Sequence, residues 1–186
     1  MKIGVLAIAQ VPQRFLAAAA HGLSEVLPDT TCEVTSTAIA APEHAYDKKR
    51  RQYNSTQILS DIQAYAQDRQ EYNRILGIID ADIYVTGLNY VFGEAYIQGK
   101  AALISTWRLK PQYYAEEPDR GALELRIVKE AIHEVGHTLG LQHCPRSYCV
   151  MHFSNSIFEV DKKQSLFCDQ CYLNAAVAIN QLEPLT

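Results

Sequence analysis

The sequence predicts an α+β fold, in which helices pack against a mixed β-sheet within one domain. The length of 186 residues corresponds to about one domain at ~150 residues each. A nearly continuous apolar run at residues 75–80 is typical of a strand that is covered on both faces. Apolar residues recur at helical spacing over residues 122–139, which predicts a long amphipathic helix. Strands and helices therefore contribute to a shared core.

Strands and helices alternate along the first half of the chain. Pro12 suits the first turn of a helix that Pro28 ends, and Ser55 or Thr56 can cap the next one. The predicted helices are residues 12–27, 55–72, 122–139 and about 172–182. The predicted strands are residues 2–9, 31–38, 75–80 and 83–87, followed by a hairpin or a pair of edge strands within 91–109. The charged residues 41–51 predict a loop.

Composition argues against several classes of protein. The net charge is −4, from 17 Lys and Arg against 21 Asp and Glu, so no basic footprint for nucleic acid is present. No apolar run reaches the ~20 residues of a membrane span. The apolar N-terminus is interrupted by Gln10, Pro12 and Arg14, which disfavours a signal peptide. We therefore expect a cytoplasmic monomer that contacts neither nucleic acid nor membrane.

The stretch His133-Glu-Val-Gly-His137-Thr-Leu-Gly-Leu-Gln-His143 carries the chemistry. His133 and His137 are four residues apart on a predicted helix, so both imidazoles reach one ion. Gly140 ends that helix, and the turn can bring His143 back as a third ligand. Three protein ligands leave one open position, which is the catalytic pattern for zinc. Glu134 lies beside the first histidine and can act as a general base on a water molecule.

Four of the five cysteines form a second candidate metal site. They stand in two close pairs separated by 18 residues, at Cys144, Cys149, Cys168 and Cys171. Four thiolates make a closed, structural zinc site, whereas free thiols or two disulfides are the alternatives. His143 and Cys144 are adjacent, so we expect the structural zinc to support the catalytic one. The chain would then hold two zinc ions.

These residues resemble the archaemetzincins, a family within the metzincin clan of zinc peptidases. The resemblance rests on HEVGHTLGLQH, the cysteine directly after it, the CxxxxC with Met151 two residues later, and the final CxxC. It implies a twisted sheet, an active-site helix and a small C-terminal subdomain (residues 141–186 after an N-terminal subdomain 1–140) in one catalytic domain. It also implies that Met151 underlies the zinc site and that strands near 91–109 border the cleft.

The chain departs from some metzincins after Met151. Where those carry a tyrosine two residues after the methionine, this chain has Phe153, which has no hydroxyl to offer. His152 is a candidate to assist the transition state, although a structural role is the simpler interpretation. An aminopeptidase would need an acidic anchor, for which Glu94, Glu116 and Glu117 are candidates.

The leading interpretation is a zinc-dependent peptidase that acts on peptides or proteins. The alternative is a non-catalytic zinc protein that binds peptides or partner proteins through the same cleft; the intact Glu134 argues against it. A nucleic-acid-binding module built on the four cysteines is a third class. It would have only Arg146, Lys162 and Lys163 as nearby basic residues.

Overall fold

The computed structural model describes residues 1–182 and 185. Within them the strands are β1 (Lys2–Ile8), β2 (Thr31–Val34), β3 (Tyr46–Asp47), β4 (Gln52–Asn54), β5 (Arg74–Ile79), β6 (Ile83–Tyr84), β7 (Gly93–Ala95) and β8 (Ala101–Ser105). The α-helices are α1 (Gln13–Val26), α2 (Ser55–Gln67), α3 (Arg120–Thr138), α4 (Ile157–Lys162) and α5 (Asp169–Asn180). Short 3-10 helices occupy Glu43–Ala45, Trp107–Leu109 and Pro111–Tyr114.

A five-stranded sheet in the order β2-β1-β5-β8-β7 organises the molecule. The first four strands are parallel, and β7 runs antiparallel to β8 at one end. A smaller sheet joins β3, β4 and β6. The predicted α+β class is therefore confirmed. Since β7 is the last strand in the order, its outer edge has no strand partner in the described sheet.

Helices cover both faces of the main sheet. α1 and α3 pack with one apolar cluster, which includes Ile3, Leu76 and Ile132. α2 packs with the other, which includes Leu6 and Ile79. Burial on both faces explains why β1 and β5 are apolar without alternation.

Several predicted boundaries move in the structure. β8 is an interior strand with every residue buried, so the segment 91–109 is a hairpin and not a pair of edge strands. The predicted loop 41–51 contains β3 and a short helix, and β2 is shorter than the predicted strand. α2 ends at Gln67, before the predicted end at Tyr72. The helix α4 was not predicted, and its six residues are too few to show a helical period.

The long helix α3 places the metal-binding motif. The side chain of Asp119 caps its start by accepting from the N–H of Ala122 at 3.0 Å. Its inward face is buried along most of the helix, whereas Leu125, which belongs to the apolar residues predicted at helical spacing, is exposed. Among the described residues, no helix combines the length and apolarity needed to cross a membrane.

Candidate metal centre and active-site cleft

His133 and His137 lie one turn apart on the buried face of α3. Their Nε2 atoms are 3.2 Å apart. The Nδ1 atoms point the other way, toward the carbonyl oxygens of Val150 at 2.8 Å and Leu141 at 2.7 Å. Because a carbonyl only accepts, both Nδ1 atoms carry the proton and both Nε2 atoms present a lone pair.

A glycine turn brings in the third histidine. Gly140 has φ of 87°, in the left-handed region, and its N–H donates to the His137 carbonyl at 2.9 Å. The next N–H, of Leu141, donates to the Gly136 carbonyl at 3.1 Å, which completes a Schellman motif. The chain reverses there, and His143 returns to the other two histidines.

The three imidazoles fit a zinc ion. One nitrogen from each ring can be chosen so that all three lie within 4.8 Å of one another. Ligands at about 2.0–2.1 Å in tetrahedral geometry would lie about 3.3 Å apart, close to the 3.2 Å between the first two. Two facing lone pairs at that distance repel unless a cation lies between them. Burial lowers the pKa of all three imidazoles, which favours the neutral form that binds metal.

Met151 packs beneath this site. Its side chain is fully buried, and a β-carbon on Gly136 would lie 2.5 Å from its sulfur. Gly136 stands between His133 and His137, so the missing side chain leaves room for the thioether. This position agrees with the role that the resemblance implies for Met151, which is packing and not ligation.

Glu134 lines the cleft directly beside the histidines. Burial raises the pKa of its carboxyl well above the ordinary value, and the neighbouring Glu130 adds to the rise. The backbone of β7 approaches it closely. A β-carbon on Gly93 would lie 2.6 Å from Glu134 Cγ and 2.7 Å from its Oε1. A glycine within a strand signals such a close approach.

The cleft has a volume of about 460 Å³ and runs between β7 and the segment that follows Met151. Apolar side chains contribute most of its walls, among them Leu88, Ile97 and Phe153. At one end the Tyr90 hydroxyl donates to the carbonyl of Asn155 at 2.7 Å, which joins the two walls. The free edge of β7 borders the space, so an extended peptide has backbone groups to pair with.

The four cysteines form a second cluster. Their sulfur atoms all lie within 4.8 Å, and all four residues are buried and unlinked. Cys144 and Cys168 sulfurs are 3.8 Å apart, far beyond the ~2.05 Å of a disulfide. Tetrahedral zinc with Zn–S of about 2.3 Å places sulfurs about 3.8 Å apart. The geometry thus fits zinc, and no disulfide links these four cysteines in the structure.

The surroundings act differently on the individual thiols of this cluster. Cys168 caps the start of α5, and Arg146 Nη1 donates to its sulfur at 3.5 Å. Burial alone would raise the pKa of Cys168, but hydrogen bonds from Cys171 and from the other thiols outweigh it and lower the pKa to about 7. Burial raises the pKa values of Cys149 and Cys171, and the Cys168 thiol adds to the rise at each. A bound cation would favour the thiolate form of all four cysteines.

The two clusters share one loop. Cys149 precedes Val150, whose carbonyl orients His133. The N–H of Cys144 donates to the Met151 carbonyl at 2.9 Å, which ties the loop that follows His143 to the methionine. The predicted support of one site by the other thus has two physical routes, through the chain at 143–144 and through Val150.

The remaining predicted residues have other surroundings. The His152 Nδ1 donates to the Cys144 carbonyl at 2.9 Å, which is the structural role. The centroid of the Phe153 ring lies 4.9 Å from the centroid of the His143 ring. The Glu94 carboxylate accepts from the hydroxyls of Ser55 and Thr56, and Glu94 also lines the cleft, where its charge contributes to the raised pKa of Glu134.

The other candidates are also engaged or exposed. Glu116 lies 3.9 Å from Arg126, outside the cleft, and Glu117 is exposed. For the nucleic-acid alternative, Lys163 is buried and Arg146 is held by Cys168. Of the three basic residues that this alternative needs, only Lys162 is both exposed and unclaimed by the cysteine cluster.

A model of peptidase family M54 matches residues 24–175. The chain belongs to peptidase family M54. It is 44% identical to the archaemetzincin of Methanocaldococcus jannaschii over 81% of this chain and 75% of the relative. The crystal structure of the Methanopyrus kandleri archaemetzincin matches with a TM-score of 0.83 and 35% identity, covering 97% of this chain and 96% of that one. A zinc-dependent peptidase from Methanocorpusculum labreanum matches with a TM-score of 0.84 and 27% identity, over 93% and 99%.

Membership in M54 confirms the resemblance to the archaemetzincins, and the chain is a zinc metallopeptidase. These comparisons do not favour the alternative interpretation, a non-catalytic zinc protein that binds peptides or partner proteins. Sequence reasoning missed Gly93, Tyr90 and the carbonyls of Val150 and Leu141, which orient the site. Of these only the glycine carries a signal in the sequence, as an interruption of a strand.

Proposed function

We propose that this M54 peptidase hydrolyses peptide bonds at a zinc ion held by His133, His137 and His143, with Glu134 as the general base. The observation that carries the proposal is the pair of unprotonated Nε2 atoms 3.2 Å apart, directly beside a cleft-lining carboxylate. A second zinc ion, held by Cys144, Cys149, Cys168 and Cys171, would have a structural role.

Bound zinc would supply an electrophile for the substrate carbonyl, lower the pKa of a water molecule and favour the ionised form of Glu134. Glu134 would accept a proton from the attacking water and pass it to the nitrogen of the departing amine. The Val150 and Leu141 carbonyls keep the first two imidazoles in the tautomer that ligates.

The substrate would be an extended peptide chain. The free edge of β7 can pair with its backbone, as in β-augmentation. The apolar walls at Leu88, Ile97 and Phe153 favour apolar side chains near the scissile bond. Glu94 lines the cleft while its carboxylate accepts from the hydroxyls of Ser55 and Thr56, so it is a candidate anchor for the α-amino group of a substrate. We therefore leave both end-trimming and internal cleavage as activities to be tested.

We further propose that the whole chain acts as one catalytic domain, with the cleft between an N-terminal part (residues 1–140) and a C-terminal part (residues 141–186). The last of these residues, 183, 184 and 186, lie outside the described part of the chain. Four reduced, metal-binding thiols suit the cytoplasm, where thiols are kept reduced. A monomer would suffice, because one chain contains every proposed ligand.

A digest of a peptide library by the zinc-loaded protein, read by mass spectrometry, tests the activity. Wild type should cleave, and its cut sites separate end-trimming from internal cleavage. Glu134→Gln should retain zinc and lose about 10²–10⁴-fold in rate, the usual contribution of a general base. Equal cleavage by both proteins would contradict the role of Glu134.

A further inference from the structure

A buried ion pair lies under the cleft and takes no part in the proposed ligation. Lys163 follows α4, and its Nζ lies 2.9 Å from Oε1 of Glu130 on α3. The exposed side-chain fractions are 0% for Lys163 and 4% for Glu130. The contact has the distance of an ion pair but an oblique approach, since this Oε1 has no hydrogen-bond donor among the described residues.

The position of the pair connects it to the metal centre. Glu130 stands three residues before His133 and four before Glu134, so it shares their face of α3. Both members of the pair line the same cleft as His133 and Glu134. Lys163 Nζ also lies 3.5 Å from the carbonyl of His152, in the turn after Met151. The pair thus bridges the active-site helix and the turn beneath the metal centre.

The neighbouring buried charges on α3 serve a different purpose. Arg126 forms a two-pronged ion pair with Asp161 at 2.7 and 2.8 Å, and Lys129 donates to the carbonyls of Val160 and Asp161. These contacts attach the end of α4 to α3. Attachment therefore does not require the Glu130–Lys163 pair, which a well-packed apolar pair could replace at little cost in stability.

The charges of the pair face the site. Glu130 and Lys163 line one cleft together with His133, His137 and Glu134, and both side chains are buried. Water screens buried charges weakly, so a carboxylate at this position attracts a dication held by the histidines and an ammonium group repels it.

We propose that Glu130 and Lys163 are positioning residues that set the zinc affinity of the three-histidine site, Glu130 by favouring the bound ion and Lys163 by opposing it. When both residues are present, their effects on zinc affinity cancel, and zinc binds in near-neutral surroundings. When one of them is replaced, the charge of the other shifts the affinity in its own direction. The inference rests on the proposed zinc site and adds the residues that regulate its affinity.

Cobalt(II) is the probe that tests this inference. Thiolate ligands give intense charge-transfer absorption and histidine ligands weaker visible bands, so one titration follows both sites, and the four-cysteine site is the internal reference. Zinc competition then gives the affinity of the three-histidine site. The proteins are wild type, Glu130→Gln, Lys163→Met, the double variant and Lys162→Met, the matched control on the exposed neighbour.

We expect the two single variants to shift the zinc affinity of the three-histidine site in opposite directions. Glu130→Gln should weaken zinc binding by at least about tenfold and Lys163→Met should strengthen it by at least about tenfold, since a unit charge and a dication within about 20 Å interact by more than that factor at an effective dielectric of ~20. The double variant should return to within about threefold of wild type. A merely structural role would weaken binding in both single variants.

Shifts in the same direction, or none beyond the Lys162→Met control, would overturn the inference. Circular dichroism checks the fold of each variant; should Lys163→Met fail to fold, the isosteric Glu130→Gln decides alone, and unchanged or tighter binding there overturns the inference. Absence of the three-histidine cobalt signal in wild type would instead overturn the proposed function and, with it, this inference.

Discussion

At the scale of single residues, the space beside Glu134 tightly constrains the site. Gly93 leaves the β7 backbone in contact with the carboxylate, and a β-carbon there would also lie 2.7 Å from the Leu103 carbonyl oxygen. That oxygen belongs to the neighbouring strand and cannot move freely. Position 93 therefore accepts only glycine unless Glu134 or β7 is displaced.

Gly93→Ala should lower kcat/KM by at least about tenfold while zinc content stays unchanged. The physical reason is that small displacements of a catalytic group cost large factors in rate. Gly121→Ala is the matched control, because a β-carbon there meets only the Asp119 carboxylate at 3.5 Å. Peptide hydrolysis and metal analysis measure both effects. Full activity of Gly93→Ala would show that the close approach is unimportant.

Met151 is the second residue whose surroundings allow a quantitative expectation. It is fully buried against Gly136 under the histidines. Met151→Ala should lower the free energy of unfolding by about 2–5 kcal/mol because it leaves a cavity. Met151→Leu conserves volume and should cost less than about 1.5 kcal/mol. Urea titration measures both, and Val177→Ala on an exposed face of α5 is the control. Equal small effects in both Met151 variants would contradict this packing.

At the scale of elements, the loop between His143 and α4 connects the two metal clusters. Cys149 is the last cysteine of this loop, and the carbonyl of the next residue, Val150, accepts from His133 Nδ1 and so leaves Nε2 unprotonated. Releasing the sulfur ligands should therefore loosen a contact that orients the first histidine. The coupling proceeds from one metal cluster to the other through backbone atoms.

Cys144→Ser should lose zinc from the four-cysteine site and weaken binding at the three-histidine site by about 10–100-fold, the usual cost of disturbing the residues that orient a ligand. Cys32→Ser carries the same chemical change outside the cluster and should affect neither site. Zinc competition at equilibrium gives the comparison. Unchanged affinity at the three histidines would show that the two sites are independent.

At the scale of the whole molecule, metal and fold are linked. Zinc that binds the folded but not the unfolded chain raises the free energy of unfolding by about 2.7 kcal/mol at a free zinc concentration 100 times the dissociation constant. The segment 144–171 packs into the same apolar cluster as one face of the parallel sheet, but it has little regular structure apart from α4 and the start of α5. Removal of zinc should therefore destabilise this segment first.

Hydrogen exchange read by mass spectrometry measures this difference. After chelation, amides of residues 144–171 should lose protection while those of β1, β5 and β8 keep it. The same treatment of a Cys144→Ser variant, already without the structural zinc, should add little in this segment. Uniform loss of protection across the sheet would contradict a local role for the four-cysteine site.

Local chemistry was predictable from the sequence to a greater extent than tertiary placement. His133, Glu134, His137 and Gly140 lie on one helix and its end, where the spacing alone determines geometry. The interior position of β8 was not predictable, because an apolar strand of a hairpin has the same sequence pattern at the edge and in the centre of a sheet. The Glu130–Lys163 pair joins residues 33 positions apart by tertiary packing, and the sequence carries no signal for it.

The location of the metal is the central claim, and anomalous X-ray diffraction from crystals grown with zinc tests it most directly. Data collected above and below the zinc edge should show two peaks per chain, one among the ring nitrogens of the three histidines and one among the four sulfurs. A peak at the cysteines alone, with the histidines bare at saturating zinc, would contradict the proposed catalytic site.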